Sequence, residues 1–181
     1  YLPNEETFNQ EKYLNNLKTI IKQIKQIENL VNEFSDFARM PKPTLKRNNL
    51  VKLLNENIKL LSEINKSIEI NLNKKDEEIL LECDKEQISR VFINLIKNSI
   101  ESIEQKVEKN PDFKKKILID ISSNNDHILI SIEDNGVGFD KNNKEEILNP
   151  YYTTKKNGTG LGLSIVNKII NDHNGKIKFI S

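Results

Sequence analysis

Three short clusters in the second half of the chain combine residue types suited to handling a nucleotide: Asn94-Leu-Ile-Lys-Asn98, Asp134-Asn-Gly136-Val-Gly138 and Gly158-Thr-Gly160-Leu-Gly162-Leu. An Asn side-chain oxygen is a hard, neutral donor that fits magnesium, an ion that prefers oxygen ligands and keeps waters and phosphate oxygens around it. Asn94 and Asn98 stand one helical turn apart, and Lys97 beside them can face phosphate as a point charge. These three are the candidate catalytic residues, with Asn98 the candidate metal ligand. Asp134 follows an apolar alternating stretch, where a carboxylate can accept a hydrogen bond from the exocyclic amine of adenine. Gly136 and Gly138 allow positive φ and the close approach of a flat ring. Gly158, Thr159, Gly160, Leu161 and Gly162 lead into a helix, whose first N–H groups and dipole form a phosphate site.

Each cluster also has an ordinary structural account. A polar stripe on a helix is usually a solvated face, Asp-Asn-Gly is a good turn, and loops need glycine in any case. The third cluster lacks the Gly-Lys-Ser/Thr of the Walker loop, and no strand directly precedes it as a dinucleotide fold requires. Their order is more informative than any one of them. A metal and phosphate helix, an adenine turn and a phosphate helix, with a long polar stretch between the last two, predict an ATP pocket.

The elements that must hold these residues are legible from hydrophobic period. Between about Gln10 and Met40 there is no Gly or Pro, and Leu14, Leu17, Ile21, Ile24, Ile27, Val31, Phe34 and Ala38 recur three or four apart. That is one long helix with an apolar seam it cannot bury alone, so a bundle with a second copy is expected, the alternative being a helix folded back on its own domain. Pro41-Lys-Pro43 ends it. A strand near Thr44–Arg47, a helix from Leu50 to Ser62, and strands at Ile68–Leu72 and Ile79–Glu82 follow. Asp84 is a good cap for a helix running to about Lys109. On that helix Ile88, Val91, Phe92, Leu95, Ile96 and Ile103 occupy one side, while Gln87, Arg90, Asn94, Lys97, Asn98 and Glu101 form a polar stripe on the other. Strands at Ile117–Ser122 and Ile128–Glu133 read as an antiparallel hairpin through Asn124-Asn125-Asp126. The loop from Phe139 to Asn157 has the length of a lid, a helix runs from Gly160 to Asp172, and a last strand covers Lys176–Ile180. Helices mixed with antiparallel strands predict a two-layer α/β sandwich preceded by one long helix.

Composition excludes several alternatives. The net charge is +1 and arginine occurs only at 39, 47 and 90, with basic and acidic residues interspersed, which gives no electrostatic case for nucleic acid. One cysteine, Cys83, forms no internal disulfide framework and fits a reducing compartment. No apolar run reaches the roughly 18–20 residues of a membrane span. A start at Tyr1 without methionine is expected of a piece of a longer protein.

Positions 44–180 resemble the ATP-binding domain shared by histidine kinases, Hsp90, DNA gyrase and MutL, known as the Bergerat or GHKL fold. The resemblance implies that Asn98 binds magnesium, Asp134 the adenine amine, Gly136 and Gly138 shape the adenine pocket, and Gly158, Gly160 and Gly162 form the phosphate lid. Hydrolytic members carry a general-base glutamate one turn before the magnesium asparagine. This chain has Asn94 there, as histidine kinases do, and an amide cannot take a proton from water. Glu33-Phe-Ser-Asp-Phe-Ala-Arg-Met-Pro-Lys-Pro43, Gln87-Ile-Ser-Arg90, Asn98-Ser-Ile-Glu101-Ser and Tyr151-Tyr-Thr-Thr-Lys155 are similar to the NtrY-type nitrogen-regulation sensor kinases.

By that resemblance, residues 1–40 are the second helix of a dimerisation and phosphoacceptor hairpin, 41–43 a hinge and 44–181 the catalytic domain. The implied activity is transfer of the γ-phosphate of Mg-ATP to a histidine, for relay to an NtrX-like response regulator. The implied setting is a homodimer in the cytoplasm, with any membrane segment outside this chain. A hydrolytic ATPase and a non-catalytic nucleotide-sensing dimerisation module are the alternatives. The sequence departs from the family pattern at three points. The phosphoacceptor motif is not among the 181 residues, whose histidines are His127 and His173. Many members place a phosphate-binding lysine where Glu101 stands, leaving Lys97 and Lys155 as its replacements. Ser181 precedes the family's closing strand, which helps the aspartate hold adenine.

Overall fold

Ile117, Ile119 and Ile121 alternate with polar or half-exposed residues along one strand, and all three are at most 2% exposed. That strand is the centre of the sheet around which the chain after the long N-terminal helix is built. The computed structural model describes residues 10–108, 113–124, 126–139, 146–153, 155 and 158–180. Their elements run α1 (Gln10–Ala38), β1 (Lys46–Asn49), α2 (Leu50–Ile64), β2 (Glu69–Lys74), β3 (Leu80–Cys83), α3 (Lys85–Val107), β4 (Lys116–Ser123), β5 (Ile128–Asp134) and α4 (Gly162–Asp172), with a 3-10 turn at Glu146–Leu148 before α4. The sheet order is β2-β4-β5, and β1 pairs with β3 in a separate two-stranded ribbon.

Helices α2 and α3 pack on the sheet, α2 against β2 and α3 against β4 and β5, with α2 and α4 on the flanks of α3. The apolar side of α3 expected from its spacing is the buried one, with Ile88, Val91, Phe92, Ile96, Ile100 and Ile103 in the core. The result is the mixed α/β architecture expected, preceded by one long helix. Two strand expectations need correcting. β2 joins β4 in parallel, Glu69 opposite Lys116 through Lys74 opposite Ile121, so the sheet is mixed rather than antiparallel. The cause is topological: β3 and the whole of α3 lie between those strands, a crossover long enough to bring the chain back in the same direction. Residues 176–180 form no strand. The apolar alternation there is used differently, with Ile177 packed on the core and Phe179 edge-to-face with Phe139 at 6.0 Å, but without a backbone ladder.

The hairpin of β4 and β5 is antiparallel with Ile117 opposite Asp134. Its turn is closed by Asn124, whose Oδ1 accepts from the N–H groups of Asp126 (3.1 Å) and His127 (2.7 Å). Asn125 and part of the expected lid, residues 140–145, 154, 156 and 157, lie outside the described residues. Along α1 the seam stays exposed, from 36% at Leu17 to 60% at Ile27; Phe37 and Met40 at its end pack on the core. Among the described residues no helix is long and apolar enough to cross a membrane.

Asp84 ties three parts of the fold together. Its Oδ1 accepts from the N–H groups of Glu86 (3.0 Å) and Gln87 (3.1 Å), and its Oδ2 from that of Thr44 (2.9 Å), just past Pro43. Its own N–H donates to Nε2 of His173 at 3.0 Å. Burial works to raise the carboxyl pKa, but the donors from Thr44, Gln87 and Glu86, and then the charge of nearby His173, outweigh it and hold the group below its ordinary value of 3.8. A depressed carboxyl contributes stability above its unfolded pKa and loses it as pH falls through the folded one. Asp84→Ala is therefore expected to cost about 1–2 kcal/mol at pH 7, and the gap from the parent to narrow below about pH 4. Urea unfolding of both proteins at pH 7 and pH 3 measures it. A gap that is the same at both values would show that the carboxylate charge contributes nothing.

Candidate functional site

The polar stripe on α3 divides in two. At its N-terminal end Gln87 Nε2 donates to the carbonyl of Pro41 (3.0 Å) and Arg90 pairs with Asp36 of α1 (3.0 Å). These residues anchor the end of α1 and its proline linker. One turn further on, the stripe faces the glycine cluster and the lysine before it. Asn94 Nδ2 donates back to the carbonyl of Arg90 at 2.8 Å, which turns Oδ1 toward α4. A Cβ built on Gly162 would lie 3.1 Å from that oxygen, so the first residue of α4 and the amide of Asn94 adjoin.

Asn98 Oδ1 accepts from Lys155 Nζ at 2.9 Å, and the same ammonium pairs with Glu101. Lys155 thus arrives from 57 residues away at the turn of α3 that carries Asn98 and Glu101. Lys97, by contrast, is exposed and is not brought to Asn98. Of the two lysines considered from sequence, the fold gathers only Lys155 into this cluster.

Asp134 ends β5 on the same face as Ile128, Ile130 and Ile132, because side chains alternate along a strand and the even positions turn toward α3. Its Oδ1 accepts from Ser102 Oγ (3.1 Å) and from the N–H of Gly136 (2.9 Å). Among the described residues Oδ2 has no hydrogen-bond partner. Ser102 lies one turn beyond Asn98, so a single helix carries both the amide at the cation end and the hydroxyl that orients the carboxylate. The Asp-Asn-Gly turn rests directly on this helix. A Cβ on Gly136 would come 2.2 Å from Ser102 Oγ and 2.5 Å from the Ser102 carbonyl carbon, distances that no side chain tolerates. The close approach that this glycine permits is therefore to α3. Lys106 Nζ donates to the carbonyls of Asn135 (2.7 Å) and Gly136 (3.1 Å), and Val137 N–H to that of Ser102 (3.2 Å). Gly138 takes the positive φ, 69°.

The glycine cluster before α4 is shaped by Tyr151, whose N–H donates to the carbonyl of Gly160 at 3.0 Å. Gly160 has φ 70°, and a Cβ there would sit 2.4 Å from the Tyr151 carbonyl carbon, so only glycine fits. Thr159 Oγ1 donates to Glu33 of α1 and accepts from Leu161 N–H (3.3 Å), and Leu161 is fully buried. Gly158 lies beside Thr153. Among the described residues no side chain caps α4, and its first turn is entered through these glycines.

Sequence reasoning gave no role to Ser102, Lys106 or Glu33. Ser102 had a signal, since it continues the Asn94–Asn98 face by one more turn. Lys106 and Glu33 had none, because their partners lie 30 and 126 residues away.

Both histidines are accounted for structurally. His173 uses its two ring nitrogens inside the fold, Nε2 accepting from Asp84 N–H and Nδ1 facing the Ile169 carbonyl at 2.8 Å. His127 is exposed in the hairpin turn. Among the described residues no group of three or more His, Cys, Asp or Glu side chains could hold a metal by itself.

The model of the histidine kinase-, DNA gyrase B- and HSP90-like ATPase family matches residues 83–181. Among curated proteins the chain is similar to the nitrogen regulation protein NtrY of Azorhizobium caulinodans, 33% identical over 162 residues, covering 88% of this chain. The chain spans 20% of the length of that relative. Among solved structures it is similar to the catalytic domain of the histidine kinase ThkA in a nucleotide-free form, at 34% identity and TM-score 0.65, covering 75% of this chain and 87% of that one. ThkA in complex with the response regulator protein TrrA matches 95% of this chain and 47% of that chain, with 28% identity and TM-score 0.69. A family match over more than half of the chain, joined to the same arrangement of helices on a mixed sheet, is decisive: this chain belongs to the histidine kinase-, DNA gyrase B- and HSP90-like ATPase family, and its relatives include NtrY-like sensor histidine kinases.

Proposed function

We propose that this chain is the catalytic part of a two-component sensor histidine kinase, which binds Mg-ATP and transfers the γ-phosphate to a histidine for relay to an aspartate on a response regulator. The observation that carries the reading is convergence on one helix. Asn94 and Asn98 on α3 adjoin the start of α4 and Lys155, while Ser102 on the next turn holds Asp134 by one oxygen, the other having no hydrogen-bond partner among the described residues. In this arrangement Asp134 Oδ2 accepts from the adenine amine, and the N–H groups at the start of α4 face the phosphates. Asn98 offers a hard oxygen of the kind magnesium prefers, and a cation already stands on it in the form of the Lys155 ammonium, so the position fits the metal. When bound, nucleotide and metal supply the phosphoryl group and much of its charge neutralisation. The protein's share is positioning: Asn94 and Lys155 flank the phosphates, and Lys106 clamps the turn beneath the base.

The domain division follows the same reading. Residues 1–40 contribute the second helix of a dimerisation hairpin, 41–43 a hinge and 44–181 the catalytic domain. The exposed seam of α1 supports a homodimer formed through it. The ThkA–TrrA complex supports a response regulator as partner, of the NtrX class by similarity to NtrY, and the setting is cytoplasmic with any membrane anchor elsewhere in the protein.

Calorimetry with ATP, with and without magnesium, tests the pocket. Magnesium should tighten binding in the parent, and Asn98→Ala should remove most of that gain, about tenfold for a lost contact to a charged group. Metal dependence that survives Asn98→Ala intact would refute the metal assignment.

Slow hydrolysis follows from Asn94, which presents an amide where a general base would be needed. Asn94→Glu is expected to leave the background ATPase rate unchanged or to raise it, as measured by steady-state phosphate release. Brisk release by the parent, abolished by this substitution, would favour a hydrolytic ATPase instead.

A further inference from the structure

Lys155 is in an unusual position for a residue whose expected partner is phosphate. Its ammonium donates to Asn98 Oδ1 at 2.9 Å and is paired with Glu101, while only about a third of its side chain remains exposed. Asn98 Oδ1 is the same atom that the proposed function gives to magnesium. A single amide oxygen directed at an ammonium is poorly placed to bind a divalent ion at the same time, because both cations want the same lone pairs and repel one another. Glu101 raises the local negative potential and holds the ammonium on this turn of the helix. The carboxylate also lies where it would repel a phosphate if Lys155 were absent.

We propose that Lys155, positioned by Glu101, is a built-in occupant of the cation position at Asn98, so that magnesium enters by displacing an ammonium. The displaced ammonium, still tethered at Glu101, then stands beside the phosphates that arrive with the metal. The consequence is selectivity for metal that comes with nucleotide. Metal alone must exchange with Lys155 for a single amide oxygen, whereas metal on a triphosphate brings several oxygens and gives Lys155 a new anionic partner. Glu101 is thus a positioning residue, acting through Lys155. This inference rests on the nucleotide and metal reading of the pocket given above.

The quantity that reports displacement is the magnesium gain, the ratio of ATP dissociation constants measured by calorimetry in EDTA and in magnesium. If Lys155 competes with the metal, Lys155→Met should raise the gain about fivefold or more, the scale of a typical coupling between two ligands of one site. In an Asn98→Ala background the same substitution should leave the gain unchanged, since the contested oxygen is gone. Glu101→Gln should raise the gain in the parent background and do nothing further once Lys155 is methionine. Lys155→Arg, which keeps a cation there, should stay near the parent. Thermal unfolding of each variant confirms that the fold is intact.

A gain that Lys155→Met leaves unchanged or lowers would overturn the displacement, as would a Glu101→Gln variant whose gain falls, because that carboxylate would then be a metal ligand. If the parent binds ATP in neither condition, the pocket reading itself fails and this inference with it. Binding with an unresponsive gain fails the inference alone.

Discussion

Replacing Asp134 with alanine is expected to weaken ATP binding by about 10- to 100-fold and to abolish preference for ATP over GTP, the loss of one hydrogen bond to a charged acceptor. The expectation comes from the division of labour between its two oxygens. Oδ1 is committed to Ser102 Oγ and the Gly136 N–H, which leaves Oδ2 for the base. Alanine also strips those two donors of their acceptor, so a stability loss of about 1–3 kcal/mol accompanies the binding defect. Asp134→Asn separates the effects. Its amide oxygen can keep Ser102 and Gly136, while its NH₂ group replaces the acceptor with a donor, which opposes the adenine amine and suits the guanine carbonyl. Calorimetry with both nucleotides, beside urea unfolding of all three proteins, reads the two consequences independently. Equal ATP affinity in the parent and the alanine variant would sink the adenine assignment.

The second large effect is a failure: the 181-residue chain should bind Mg-ATP and not label itself with γ-phosphate. Phosphohistidine formation needs a free imidazole nitrogen presented in line with the γ-phosphate. His173 has both nitrogens engaged between the ends of α3 and α4. His127 sits in the turn between β4 and β5, at the end of β5 opposite Asp134. A longer chain that supplies a histidine on a helix paired with α1 should form an acid-labile phosphoprotein, and Asn98→Ala in that chain should abolish it. The measurement is transfer of radiolabel from γ-labelled ATP to both chains, with acid treatment as the chemical check. Label on His127 or His173 in the short chain would overturn the assignment of α1 as half of an acceptor hairpin.

Much of the scaffold follows from the sequence because its causes are local. The three- and four-residue recurrence from Leu14 to Phe34 sets a helix regardless of what covers it, and α1 spans Gln10–Ala38 with its seam exposed. Asp84 caps α3 because a carboxylate just before a helix can reach its first free N–H groups. The period of two along Ile128, Ile130 and Ile132 puts Asp134 on the helix-facing side of the sheet, so its role as an inward acceptor is readable from the strand itself, without knowledge of Ser102 on the facing helix. Asn94 and Asn98 share a face for the same kind of reason, a fixed 3.6-residue turn.

Tertiary structure decides what local period cannot reach. Nothing in spacing distinguishes Lys97 from Lys155, and sequence proximity to Asn98 favours Lys97, which the fold leaves exposed. Neighbours on a helix diverge by about 100° per residue, whereas a lysine from a distant loop can be delivered straight onto the asparagine. Gln87 and Arg90 look like part of the same polar stripe, yet the proline linker and α1 claim them, because a stripe extends along the helix and different partners cover its two ends. The parallel pairing of β2 with β4 depends on where α3 returns the chain, and the apolar alternation at 176–180 finds side-chain contacts but no ladder. Residue types and turns single out the groups proposed here for nucleotide chemistry. The closing of the chain on itself establishes which cation stands at Asn98, since an ion pair forms between whichever opposite charges the fold brings within reach.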